Sequence, residues 1–198
     1  YSFSLDSETV HIYWNADGTM AIDYVFVFSN DSGASPIDFV DVGLPNNNYS
    51  IANIRADIDG TPITDIQDSP YVTYGVALDL GANAIPAGST GTVHVFVDNI
   101  ENPYYIDYND DNYASFQFSP TWFGSEFVSG ESDISVTFHL PPGVSATEPR
   151  WHGAPSGFPE QPETGLDENG RIFYTWQNPN ANGHTQYIFG ASIPRQYV

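Results

Sequence analysis

The densest group of chemistry-bearing side chains in this sequence is Asp107, Asn109, Asp110, Asp111 and Asn112. Hard oxygen donors crowded into a short loop suit Ca²⁺, and Asp107, Asn109, Asp110 and Asp111 are the expected ligands. The loop lacks the glycine and the distal glutamate of an EF-hand, so a solvated acidic linker is the alternative reading. Asp65 and Asp68, beside Ser69-Pro70, form a sparser version of the same donor set.

Five histidines follow in interest: His11, His94, His139, His152 and His184. Three of them fall on the polar faces of expected strands, far apart in the chain. No His-x-Glu or His-Glu-x-x-His spacing occurs, so the sequence carries no zinc motif. There is no Gly-x-Ser-x-Gly elbow for a nucleophile. A carboxylate pair for glycoside hydrolysis needs two acids, but among 25 Asp and Glu any pair is expected by chance. Trp122, Trp151 and Phe158 offer planar rings that could stack on sugars, or could instead pin long loops to the body of the protein. Asn30-Asp31-Ser32 and Asn48-Tyr49-Ser50 match the N-glycosylation acceptor pattern at Asn30 and Asn48.

Strands must position these groups. Val10, Ile12 and Trp14 alternate with Thr9, His11 and Tyr13. Asn15-Ala16-Asp17-Gly18 then turns the chain into Met20, Ile22, Tyr24, Phe26 and Phe28, which predicts a hairpin with one apolar face. Val25 and Val27 make the second strand apolar on both faces, so it should be central. The same period of two runs through residues 52–58, 72–80, 93–97, 116–118, 134–140, 172–176 and 187–193. No window shows helical periodicity with caps. The expected fold is all-β, an antiparallel β-sandwich of Ig-like type, in two tandem copies. Their bounds would be 1–103 and 113–198, with an acidic linker at 104–112 and a Pro-rich excursion at 141–165.

Composition limits the function. The chain has no lysine and no cysteine; Arg55, Arg150, Arg171 and Arg195 face 25 acids, for a net charge of −21 on 198 residues. A body this anionic repels phosphate backbones and anionic lipid, which argues against nucleic-acid and membrane-surface roles. Without cysteine there is no disulfide and no thiolate metal site. No apolar stretch approaches the ~18 residues of a membrane helix. A first residue of Tyr1 rather than Met leads to the expectation of export with signal-peptide removal.

The run from Val10 to Thr19 followed by Tyr24 to Phe28 resembles the opening of an uncharacterised family of bacterial predicted membrane proteins with an extracytoplasmic β region. Ile58-Asp59-Gly60-Thr61-Pro62-Ile63, Ile85-Pro86-Ala87-Gly88-Ser89 and Asp133 through Val144 are similar in layout. The whole chain also looks like secreted hypothetical proteins of Chloroflexi-type bacteria. The downstream membrane helices of that family are not present, and Asp23 is the nearest match to its acidic residue after the turn. The resemblance implies an extracellular or cell-surface location and a β fold, and no activity.

Together these readings lead to the expectation of a non-enzymatic extracellular structural protein, self-assembling at the cell surface. Tyr1, Phe3 and Leu5 alternate as a donated strand would, and head-to-tail donation to a neighbouring copy would build a filament. The partner would then be the chain itself, with calcium offsetting the charge. A carbohydrate-binding module acting on glycans through Trp122, Trp151 and Phe158 is the alternative.

Overall fold

A computed structural model describes residues 1–198. The nine period-two segments become strands, and seven short strands outside them bring the number to sixteen. The first eight are β1 (Phe3–Trp14), β2 (Met20–Asn30), β3 (Phe39–Gly43), β4 (Ile54–Ile58), β5 (Thr61–Ile63), β6 (Asp65–Asp68), β7 (Gly75–Asp79) and β8 (Thr90–Ile100). Then come β9 (Tyr105–Ile106), β10 (Tyr113–Phe118), β11 (Val128–Ser129), β12 (Ser132–His139), β13 (Arg150–Trp151), β14 (Glu163–Leu166), β15 (Ile172–Ala181) and β16 (Phe189–Pro194). Three short 3₁₀ turns are the only helical elements. No helix is long and apolar enough to cross a membrane.

The strands form one nine-stranded sheet and two small ones. The large sheet runs β14-β15-β12-β1-β2-β8-β4-β5, with β11 also paired to β1. The small sheets are β13-β16-β10-β9 and β3-β7-β6. The pairing is antiparallel except at β1, which lies parallel to both β11 and β12. This join overrides the expected division near residue 103: the N-terminal and C-terminal halves of the sequence meet inside one sheet. A single hydrophobic cluster of 44 buried residues spans all three sheets.

Period two explains which face is which. Trp14, Tyr24, Phe26, Phe28, Phe138 and Trp176 point to the inner side of the large sheet. There Trp14 and Phe138 meet Phe116 of β10, Tyr24 meets Phe118, and Trp176 meets Phe189 of β16. A buried large aromatic contributes about 150–250 Å² of area removed from water, so these contacts dominate the join between layers. The hairpin turn forms as its residues dictate, with Gly18 at φ +83° and the Asp17 carboxylate accepting from the backbone and hydroxyl of Thr19.

A bulge between Leu5 and Ser7 lets Asp6 escape to solvent and resets the phase of β1. Phe3 and Leu5 face the core before it; Glu8, Val10, Ile12 and Trp14 face the core after it. The N-terminal segment is thus bound within its own chain. Residues 3 and 4 pair with β11 on one side and with β2 on the other. Phe3 and Leu5 fill this chain's core, and only Tyr1 is open, its hydroxyl donating to Asp38.

A candidate acid–imidazole site on the open sheet face

The outer face of the large sheet is not covered by either small sheet, and its centre is held by strands whose polar phase the sequence sets. On β1 the outward residues are Thr9, His11 and Tyr13; on β2 they include Asp23; on β8, His94; on β4, Asp57; on β12, Thr137 and His139. The register then decides who meets whom. Asp57 lies opposite His94, Asp23 opposite His11, and Tyr13 opposite His139. The result is a diagonal of titratable groups crossing five strands.

Contacts of 2.5–3.2 Å link its members. His94 Nδ1 lies 3.2 Å from Asp57 Oδ2, and its Nε2 lies 2.5 Å from Asp23 Oδ1. His11 Nδ1 and His139 Nε2 lie 2.8 Å apart, and His139 Nδ1 meets Asp167 Oδ2 at 2.7 Å. The two ends differ in access. The side chains of His139 and Asp167 are 9% and 8% exposed, whereas His94 is 40% exposed. Tyr13 closes the inner end by stacking on the His139 ring with centroids 4.3 Å apart.

Electrostatics follow from that burial. Loss of solvent lowers the pKa of His11, helped by the neighbouring His139. His139 is lowered by burial as well, with Asp167 opposing. Burial works against ionisation of Asp167, but hydrogen bonds from His139 and from the Arg171 and Asn169 N–H groups outweigh it and hold the carboxyl below its ordinary value. The Asp167 bond assigns the proton of neutral His139 to Nδ1. Its Nε2 is then an acceptor for His11 Nδ1–H.

The expected calcium loop is organised differently. Asp107 Oδ1 accepts from the Asn109 and Asp110 N–H groups, and Oδ2 accepts from the Ser115 hydroxyl at 2.6 Å. The Ser115 bond, with the two N–H groups, lowers its pKa. Asp110 takes Arg150 at 3.2 Å, and the Asp111 carbonyl takes Arg195 at 3.1 Å. Arg150 also lies over the Tyr113 ring, 3.8 Å from its centroid. Two of the four arginines in the chain thus serve this one loop, while Asn109 and Asp111 stay exposed. Asp68 accepts from Tyr49, and Asp65 from Gln67. No group of three or more His, Asp or Glu side chains encloses a common metal position.

The remaining candidate residues separate. Trp122 and Trp151 are half-exposed on different elements, Trp151 edge-on to Tyr174. Phe158 is buried against Tyr187 and Phe189 and offers no ring face to a sugar. Asn30 is also buried, and its amide nitrogen donates to the Ser35 and Ile85 carbonyls, so no acceptor amide is presented there. Asn48 is exposed.

His152 Nε2 meets Ser192 Oγ at 2.7 Å, and Ser192 continues to Ser115 and Asp107. This is not a nucleophile–base–acid triad. The carboxylate stands beyond the serines rather than behind the imidazole, and both hydroxyls are buried.

Glu8 was not foreseen. It is fully buried, and neither carboxyl oxygen closes a hydrogen bond. Burial pushes its pKa well above the usual carboxylate range; the Thr121 N–H offsets only part of this. Its phase with Val10, Ile12 and Trp14 was the available clue.

No protein-family model and no curated protein matches the sequence. Solved structures do. A mutant M1 zinc metallopeptidase from Deinococcus radiodurans, bound to the substrate Tyr-Ser-Ala, matches with a TM-score of 0.56 at 10% identity, over 98% of this chain and 43% of that one. The M1 zinc metallopeptidase of the same organism matches at 0.53 and 12%, over 98% and 42%. A two-domain M1 zinc metallopeptidase mutant bound to L-arginine matches at 0.54 and 12%, over 98% and 43%. At such identities the likeness is one of fold, and the chain spans well under half the length of the proteins it matches.

Proposed function

We propose that this chain is a non-enzymatic structural domain of the cell exterior that presents the open face of its large sheet to a positively charged partner. The observation carrying this reading is uncompensated charge: one arginine–carboxylate ion pair, Arg150–Asp110, stands against 25 acids. Asp23 places part of that excess near the centre of the open face, and Asp57 extends it toward the β5 edge. Complementary charge speeds encounter and sets the choice of partner, and a second copy of so anionic a face would be repelled. The exterior location rests on the cysteine-free, acidic composition.

We read the layers as a β-sandwich derivative, one large sheet backed by two small ones. Association through strand edges has little support. Of the six sheet edges, β5 has three residues including Pro62, β9 and β13 have two each, β6 carries Asp65 and Asp68, β14 has four residues beginning at Glu163, and β3 has five including Asp41; short, charged or proline-bearing edges discourage strand addition. Donation of a Tyr1–Leu5 strand to a neighbouring copy has no more support, since Phe3 and Leu5 fill this chain's own core. The likeness to M1 peptidases is read as a shared scaffold, because this chain has neither a His-Glu-x-x-His pair nor an α-helix to carry one.

Calorimetry with a lysine-rich peptide tests the reading. Binding should weaken steeply with salt. It should fall several-fold in D23N/D57N while surviving in E126Q/E160Q. Equal losses in both variants would reduce the effect to net charge and discard the face.

A second reading, a carbohydrate-binding module, is favoured by the half-exposed rings of Trp122 and Trp151. Soluble polysaccharides should then quench tryptophan emission in the native chain and not in W122A/W151A. Unchanged emission of the native chain would end that reading.

A further inference from the structure

His11 and His139 share one proton. Their facing nitrogens stand 2.8 Å apart, a hydrogen-bond distance, so one of the two carries no proton. The Asp167 carboxylate keeps the His139 proton on Nδ1, which leaves Nε2 to accept from His11 Nδ1–H. Asp167 and the stacked Tyr13 ring shield His139 from solvent. His11 is only half-buried, and its Nε2 is the one ring nitrogen of the pair outside these bonds. An incoming proton therefore settles on His11 Nε2, and the bond to His139 survives as a charge-assisted one. A second proton would need His139 Nε2, which is already an acceptor, and would set two cations at the 2.8 Å contact. The pair takes one charge and resists the next.

That charge sits on the open face. Asp23 lies directly opposite His11 on the β1–β2 ladder. The other charged or titratable groups around the pair are Tyr13 on β1, Asp167 and Glu168 in the turn after β14, and Arg171 just before β15. His94 reaches Asp23 from β8, and between β12 and β15 the neighbours are the Thr137 and Thr175 hydroxyls. We propose that the His11–His139 pair is a pH gate on the open face: one proton on His11 offsets Asp23 and lowers the affinity of the face for a positively charged partner. The gate rests on the docking proposed for this face. Burial and the second imidazole lower the His11 pKa against the pull of Asp23, so the gate acts below the ordinary histidine value of ~6.5. A unit charge ~4 Å from a partner cation in water changes affinity about fivefold.

Histidine-ring NMR of the free chain tests the pair, and calorimetry with the lysine-rich peptide tests the gate. As pH falls from about 7.5 to 4.5, the His11 and His139 signals should move together in one first step, with His139 Nδ1 protonated throughout. Two independent titration curves would overturn the proposal. At constant ionic strength, peptide affinity should fall about fivefold more over that range in the native chain than in H11Q. H184Q should keep the native ratio. Equal pH dependence in the native and H11Q chains would refute the gate and leave the docking face standing. No peptide binding at pH 7.5 would remove the docking reading and the gate with it. Should H11Q fail to fold, the native chain decides by reciprocity: saturating peptide should move the first histidine step about 0.7 of a pH unit lower, the counterpart of the fivefold change. A step that the peptide leaves in place would refute the gate.

Discussion

His11 and His139 stand 128 positions apart and meet at 2.8 Å across a parallel strand pair. That contact exists only because β12 lies on the free side of β1, with His139 opposite Tyr13 and one step along from His11. The same pairing fuses the two halves of the sequence into one sheet, so the site and the fold have a common origin.

Glu8 makes the pH dependence of stability testable. Its folded pKa is raised by burial, so the folded chain keeps a proton that the unfolded chain releases near pH 4.3. Stability attributable to Glu8 is therefore lost as pH rises from about that value toward the folded pKa. E8Q removes the titration. It should match the native chain at pH 4 and exceed it at pH 8 by ~1–3 kcal/mol, a shift of roughly 2–4 °C per kcal/mol in thermal midpoint. A native-minus-variant difference that does not change with pH would show that Glu8 does not titrate in the core.

Gly190 makes room for His152. A Cβ there would lie 2.2 Å from His152 Nδ1, and the three nearest atoms all belong to that ring. G190A should cost ~1–3 kcal/mol in the native background, from the forced shift of the ring and loss of its bond to Ser192. In an H152A background the same change should cost under ~0.5 kcal/mol, because the obstructing ring is gone. Denaturant melts of the four proteins close the cycle.

Gly75 is needed for a different reason. Its added Cβ would meet the Val42 carbonyl oxygen at 2.3 Å, and backbone cannot turn aside as a side chain can. G75A should destabilise by ~2 kcal/mol or more through the β3–β7 ladder. G153A, with open space at its Cβ, should change the midpoint by less than ~0.5 kcal/mol.

Asp107 should matter to the loop through its hydrogen bonds. Removing them in D107A should cost ~1–3 kcal/mol near neutral pH. Because the folded pKa is lowered, the stability that Asp107 supplies is present above its unfolded value, about 3.9, and is lost as pH falls through the folded one. The native and D107A melting curves should converge in acid, and a constant gap would assign the effect to packing alone.

Much of this was legible in the chain, and the reason is local. Alternation sets which side chains share a face without reference to anything distant, so Val10, Ile12 and Trp14 could be assigned inward and His11 outward from β1 alone. Turn chemistry is equally local, and Gly18 adopts the left-handed backbone expected of an Asp-Gly hairpin. Val25 and Val27 marked β2 as central, and it lies between β1 and β8. Glu8, an acid in the apolar phase of β1, carried the same local signal but was not foreseen. The reach of these rules ends where pairing begins. Nothing near Phe158 in sequence says that it is buried, because the covering residues Tyr187 and Phe189 lie tens of positions away; Asn30 continues the apolar phase of β2, but the Ile85 carbonyl that takes its amide is just as distant.

What the sequence determined by itself was the strand period, the two faces of each strand, the turns and the charge, since each depends on a few neighbouring residues or on simple addition. Tertiary structure alone decided that β1 would take β12 as a parallel neighbour, that Asp57 and Asp23 would both meet His94 while Asp167 met His139, and that Asp107 would be held by Ser115. Such choices depend on the packing of one shared core, where the register of distant strands is settled by how Trp14, Phe116, Phe138 and Trp176 fill the space between sheets.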